Sequence, residues 1–169
     1  MTHTQEIDMP IIDVTTDLDT RTLVMTTEFP VTVERLWQVW ADPRQLEQWW
    51  GPEGYPATVT EHDLTPGGKV NYHMTSPEGE KFPGGWEVLS VEEPRRIELR
   101  DYFADADGNP VDSAPESRMT VEFHSVEGGA RMVSTSTWAS AEDMQKVLDM
   151  GVVEGSKSAV SQLDALLAA

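Results

Sequence analysis

The chain contains no cysteine among its 169 residues. That absence excludes disulfide frameworks, thiolate nucleophiles and Cys-based zinc or iron–sulfur sites. Positive charge is also scarce: 12 basic side chains stand against 30 acidic ones, a formal net charge of -18 with His neutral. A surplus of that sign repels phosphate backbones and anionic lipid surfaces, which argues against nucleic-acid and membrane partners. No apolar run approaches the roughly 20 residues that span a bilayer. The opening MTHTQEIDMP lacks the basic start and apolar segment of a secretory signal, so a cytoplasmic protein is expected. Gly-rich phosphate loops (GxGxxG, GxxxxGK) and the GxSxG nucleophile elbow are missing as well.

What remains is a lean composition, 38% apolar, carrying six Trp, which is enough for one core and suits one domain at this length. Residues 1–18 are Thr- and Asp-rich and read as a flexible arm or an extra edge strand, leaving 19–169 as the folded domain. The alternation Leu23, Met25, Thr27, Phe29 predicts a first strand. Thr32 caps a helix with the apolar stripe Val33, Leu36, Trp37, Val39, Trp40, and Asp42-Pro43 ends it and starts a second, short one. Gly51-Pro52 stops that helix.

About six strands follow, punctuated by turn chemistry at Pro66-Gly67-Gly68, Ser76 to Gly79, Glu93-Pro94, Asp105 to Pro110 and Glu127-Gly128-Gly129. Such spacing predicts an antiparallel meander. Ser140-Ala141-Glu142-Asp143 resembles a capping box. The positions Met144, Leu148, Val152, Ala159, Leu163 and Leu166 then predict one helix of about 25 residues or more. Gly151 and Gly155 within it point to a close approach or a bend. An α+β helix-grip follows: a curved antiparallel sheet of about six or seven strands, two short helices, a long C-terminal helix across the sheet, and an elongated cavity between them.

The runs FPVTVERLWQVWADPRQLEQWWGPEGY, DLTPGGKVNYHM, WEVLSVEEPRRIEL, DGNP and MGVVEGSKSAVSQLDALL resemble the heat-shock-protein-90 ATPase activator homologues of the START/birch-pollen-allergen-like (SRPBCC) superfamily. The resemblance covers about residues 20–168. It implies a helix-grip with a central cavity and a small single-domain protein. The eukaryotic co-chaperone behind the family name carries a separate N-terminal domain for which 169 residues leave no room, so chaperone activation is not expected to transfer. Relatives often carry an aromatic where Ser156 stands here, a departure that would open the cavity.

Candidate chemistry is thin. His62 and His73 would face each other if Gly67-Gly68 were the centre of a tight hairpin turn, but two His without a same-face carboxylate fall short of a catalytic zinc set, and no metal is expected. Aligning Asp105 to Asn109 with a calcium loop puts Phe103 and Ala114 where carboxylates are required, so it reads as a hairpin tip. His124 alternates with Met119, Val121 and Phe123 and faces outward. Arg95 and Arg96 are too few for a nucleic-acid stripe. Asp101 falls on the inward face of the alternation Ile97, Leu99, Asp101, Phe103, where desolvation raises a carboxyl pKa; it is the one catalytic candidate.

The expected ligand-binding wall comprises Tyr72, Met74, Trp86, Val88, Leu99, Phe103, Met119, Phe123, Met132 and Trp138 from the strands, with Val121 beside them. Met144, Leu148 and Val152 meet it from the helix, and Ser134 adds a polar handle together with Ser136. The expected function is non-catalytic binding of a small, largely apolar molecule without a cofactor. Two alternatives stand beside it: a polyketide-cyclase-like enzyme in which Asp101 assists, and an adaptor that contacts a chaperone or other protein partner through its acidic surface. Exposed Trp or an edge strand would be the basis of a homodimer.

Overall fold

The computed structural model describes residues 11–168. The elements are β1 (Ile11–Asp17), β2 (Thr22–Phe29), α1 (Val33–Ala41), α2 (Pro43–Trp49), β3 (Ala57–His62), β4 (Lys69–Thr75), β5 (Lys81–Glu92), β6 (Arg96–Phe103), β7 (Ser117–Val126), β8 (Gly129–Trp138), α3 (Ala141–Asp149) and α4 (Val152–Ala168). All eight strands form one antiparallel sheet in the order β1-β2-β8-β7-β6-β5-β4-β3. This is the α+β helix-grip with a curved sheet that the sequence predicts. Its eight strands are the first strand, the six of the meander and the extra edge strand; residues 1–10 of that N-terminal segment lie outside the described part. Breaks in register at Ile11/Asp13, Val59/Glu61 and Val88/Ser90 mark where extra residues enter the ladder and bend it.

The inner face of the sheet is set by the period-two alternation. On β2, Leu23, Met25, Thr27 and Phe29 are buried while the residues between them are half-buried. Local capping explains the two short helices: the Thr32 hydroxyl accepts from the Arg35 N–H, and the Asp42 carboxylate accepts from the Arg44 N–H one residue after Pro43. The Gln45 side chain also donates to Asp42, and these bonds hold its carboxyl below the ordinary value.

The two sheet edges differ. Along β3 the helix α2 occupies the free edge: Arg44 donates to the Val59 carbonyl (2.9 Å) and the Val59 N–H donates to Glu47 (3.0 Å). At β1, the exposed Asp13 and Asp17 put charge on the open edge instead, which discourages pairing with another strand. The Trp-based route to a homodimer is corrected, because all six Trp are buried or half-buried.

Two sequence expectations fail for identifiable reasons. The single long C-terminal helix is two helices, because Met150 closes α3 and Gly151 follows at φ +88, the left-handed conformation glycine adopts after a helix end. Ser140 does cap α3, accepting from the Asp143 N–H at 3.0 Å. The His62–His73 pairing is also absent: His62 faces Val70 and His73 faces Thr58. The turn is longer than two residues, since the Asp63 N–H bonds to the Lys69 carbonyl, and the bulge at Val59/Glu61 shifts the register again. His62 instead reaches the Trp40 carbonyl at 3.0 Å and ties β3 to α1. Asp105 to Asn109 is a hairpin tip, with the Asp105 carboxylate accepting from the N–H groups of Asp107 and Asn109.

Candidate functional site

Small residues on two facing surfaces border a cavity between the sheet and the C-terminal helices. Ser134 and Ser136 on β8 and Ser117 on β7 line one wall, and Gly155, Ser156 and Ala159 on α4 line the other. Between them lies a partly enclosed cavity of about 370 Å³. Packed apolar clusters flank it. One holds Trp40, Trp49, Trp86, Leu99 and Phe123; the other is Leu23, Trp138, Met144 and Val147 under α3.

Helix α4 is held over the sheet from its far end. Gln162 donates to the carbonyls of Trp49 (3.3 Å) and Gly51 (2.6 Å), and the Ser158 hydroxyl accepts from the Glu53 N–H at 2.9 Å. A Cβ on Gly155 would meet no atom within 4 Å, so the missing side chain there leaves open space. The close approach expected for Gly155 is therefore not its reason.

The α1–α2 end of the cavity is aromatic. Trp40, Trp49 and Trp50 all line it, with Trp40–Trp49 ring centroids 5.0 Å apart and Trp50–Trp86 4.9 Å apart, edge to face. The Trp49 indole donates to the Val39 carbonyl at 3.0 Å. The indole N–H groups of Trp40, Trp50 and Trp86 are buried with no hydrogen-bond partner among the described residues. Unpaired buried donors are costly, typically by about 1–3 kcal/mol each, and so mark places where an acceptor would be welcome.

Asp101 lines the same cavity, between Trp86 on β5 and Ser117 on β7 in the ladder. Burial pushes its pKa from 3.8 up to about 7, opposed only by the Tyr102 backbone N–H; no cation contributes. It is the one carboxylate among the lining residues, which include no Lys, Arg or His. Tyr72 reaches the neighbourhood because β5 has no side chain at Gly84: a Cβ there would sit 2.6 Å from the Tyr72 hydroxyl. Burial, reinforced by the Asp101 charge, raises the Tyr72 pKa well above the phenol value.

Of the residues expected from sequence, Tyr72, Met74, Phe103, Met119, Met132, Ser134, Trp138 and Val152 line the cavity, as do Asp101, Ser136 and Ser156. Trp86, Val88, Leu99, Phe123 and Val121 pack in the buried core and do not line the cavity. Met144 and Leu148, on α3 itself, pack into the cluster with Leu23 and Trp138 and do not line the cavity. Sequence reasoning missed Trp40, Trp49, Trp50 and Gly155 as lining residues. The doublet Trp49-Trp50 carried a usable signal, since two adjacent indoles about 100° apart put one of them at the edge of the core face, and here Trp49 is buried and Trp50 half-buried.

The family described as Activator of Hsp90 ATPase homolog 1-like protein matches residues 30–168. Among solved structures, protein Ms6760 from Mycobacterium smegmatis is 53% identical, with 94% of this chain and 97% of that chain covered and a TM-score of 0.87. A protein from Arthrobacter aurescens is 42% identical over 93% of this chain and 91% of that one, with a TM-score of 0.89. The AHSA1 protein from Silicibacter pomeroyi is 26% identical over 87% and 97%, with a TM-score of 0.70. No curated protein matches.

Proposed function

The chain belongs to the Activator of Hsp90 ATPase homolog 1-like family, a helix-grip family, and on that footing we propose that it binds a small, largely apolar molecule between the sheet and the C-terminal helices. One observation carries this reading. Both walls present Ser, Gly and Ala where larger side chains would close the space, while the surrounding clusters are tightly filled. A chain selected only for stability gains by filling such a void, because each unfilled volume forfeits packing energy. Keeping it open is sensible if something else fills it.

Filling the void tests the reading. Gly155→Leu puts a side chain into open space and removes a glycine from the helix, which alone is worth up to ~1 kcal/mol. The variant is expected to be as stable as the parent or slightly more so, and to lose binding of an environment-sensitive apolar dye. Native mass spectrometry of freshly purified parent should show a small molecule that the variant lacks. Undiminished dye binding in a folded variant would place the ligand elsewhere.

Asp101 favours a second reading, an enzyme of the polyketide-cyclase type in which the cavity folds a reactive chain and this acid donates or accepts a proton. A carboxyl with a pKa of about 7 is suited to either step at neutral pH. Here Asp101→Asn must abolish turnover of an added poly-β-keto substrate; unchanged turnover removes the role.

A further inference from the structure

Resting on the apolar-pocket reading, we infer that the occupant carries a neutral oxygen acceptor, a ketone-type carbonyl, received by the Trp50 indole N–H, the Tyr72 hydroxyl and the Asp101 carboxyl. Three observations converge on one patch of the wall. The Trp50 N–H is buried without a partner, and Trp50 lines the cavity with its ring edge-on to Tyr72, centroids 6.0 Å apart at 78°. The Trp50 indole acts against the rise of the Tyr72 pKa, so the two groups are neighbours on this wall, yet the N–H closes no hydrogen bond among the described residues. Next, Tyr72 lies across Gly84, the β5 residue opposite Phe103 and two along from Trp86, which itself pairs with Asp101. The glycine therefore lets the phenol extend over β5 toward β6.

Asp101 supplies the third group. With no cation in reach and burial disfavouring its charge, about half of the carboxyl groups carry a proton at neutral pH and present an O–H. The other groups facing it do not titrate there. On β4 and β6, Tyr72 and Tyr102 are phenols raised above their ordinary value. On β5 the neighbours are Gly84 and Trp86, on β7 Ser117, after α2 Trp50, and on α4 Gly155 and Ser156, all uncharged. The patch is rich in donors and short of strong acceptors. A carbonyl oxygen offers two lone pairs, which take two of the three donors directly and leave the third to a shared, three-centre bond; an ammonium group would pair with Asp101 yet leave the Trp50 N–H empty.

Three molecules of nearly one shape separate the outcomes: fluorene (apolar only), fluorenone (carbonyl) and 9-aminofluorene (amine), titrated calorimetrically into the full chain at pH 6 and pH 8. Fluorenone is expected to bind at least tenfold more tightly than fluorene at pH 6, and to weaken on the order of tenfold by pH 8 as Asp101 ionises. Fluorene should be insensitive to pH. Asp101→Asn, whose amide keeps an N–H donor, should hold fluorenone with no pH dependence. Trp50→Phe, which loses both the N–H and part of the apolar wall, should weaken fluorenone by a clearly larger factor than fluorene. If fluorene binds and fluorenone gains nothing, the carbonyl inference is overturned while the apolar pocket stands. Preference for the amine, or binding that tightens with pH, overturns it too. Failure of all three to bind removes the pocket reading together with the inference.

Discussion

Trp40→Ala is expected to lower the unfolding free energy by about 3–5 kcal/mol, the range for deleting a buried large aromatic. Trp40 is 1% exposed and sits where three parts of the fold meet. Its ring packs on Trp49 and Trp50 from the α2 end, on Trp86 of β5 (5.6 Å), and on Phe123 of β7 (6.3 Å). Removing it unlocks the α1–α2 pair from the sheet. Part of the loss is offset, because the indole N–H has no partner among the described residues and its burial already costs stability. The new void also joins the existing cavity, so solvent can enter it. Urea unfolding of parent and variant at one pH measures the difference. Trp49→Ala is the informative comparison: it removes a similar area and also the bond to the Val39 carbonyl. A Trp40→Ala loss below about 1 kcal/mol would mean that the aromatic cluster does not fasten the helices to the sheet.

The parts of this architecture that are legible in the sequence are those fixed by neighbours along the chain. Thr32, Asp42-Pro43 and Ser140 mark helix starts because a cap bonds to an N–H two or three residues away. The turns at Gly79, Gly108 and Gly128 are written in residues that adopt positive φ, as all three do. Strand faces are legible too: the alternation Ile97, Leu99, Asp101 turns Asp101 inward, and it lines the cavity. Depth is not. Leu99 and Met119 are direct partners on β6 and β7 and face the same way, yet Leu99 is sealed and Met119 lines the cavity. Which of two neighbours on one face meets the cavity depends on what the rest of the fold packs against each, and no single strand encodes that.

Register over long distances is similarly hidden. The juxtaposition of Tyr72 with Gly84 requires knowing that residue 72 pairs with 84, and a turn longer than two residues sufficed to part His62 from His73. The helix break shows a different limit. The apolar steps from Met144 to Leu166 continue across Gly151 because both helices face the same sheet, so periodicity alone reads through the interruption. The glycine was the only local sign of it, and glycine is tolerated inside helices at a cost of about 1 kcal/mol.

Asp101→Asn is expected to stabilise the ligand-free protein at pH 8 relative to the parent, by an amount that disappears toward pH 4. The sign follows from proton counting. In the unfolded chain the carboxyl titrates near 3.8, and in the fold at about 7, so between those values the native state holds a proton that the unfolded state has lost. Stability contributed by this group therefore falls as pH rises through that window and is constant on either side. Asn carries no titratable proton and removes the slope. A full shift of this size corresponds to about 4 kcal/mol at roughly 1.4 kcal/mol per unit. Solvent entering the cavity reaches the carboxylate and reduces the penalty, which puts the expected gain on the order of 2–4 kcal/mol. Carboxylates such as Asp42, held low by hydrogen bonds, act in the opposite direction and lose stability in acid. Because parent and variant share them, they cancel in the difference. Denaturation midpoints of both proteins at half-unit steps from pH 4 to pH 8 give the curve directly. A difference that stays flat would show that Asp101 ionises in the fold as it does in water, and that the wall it stands on is wet.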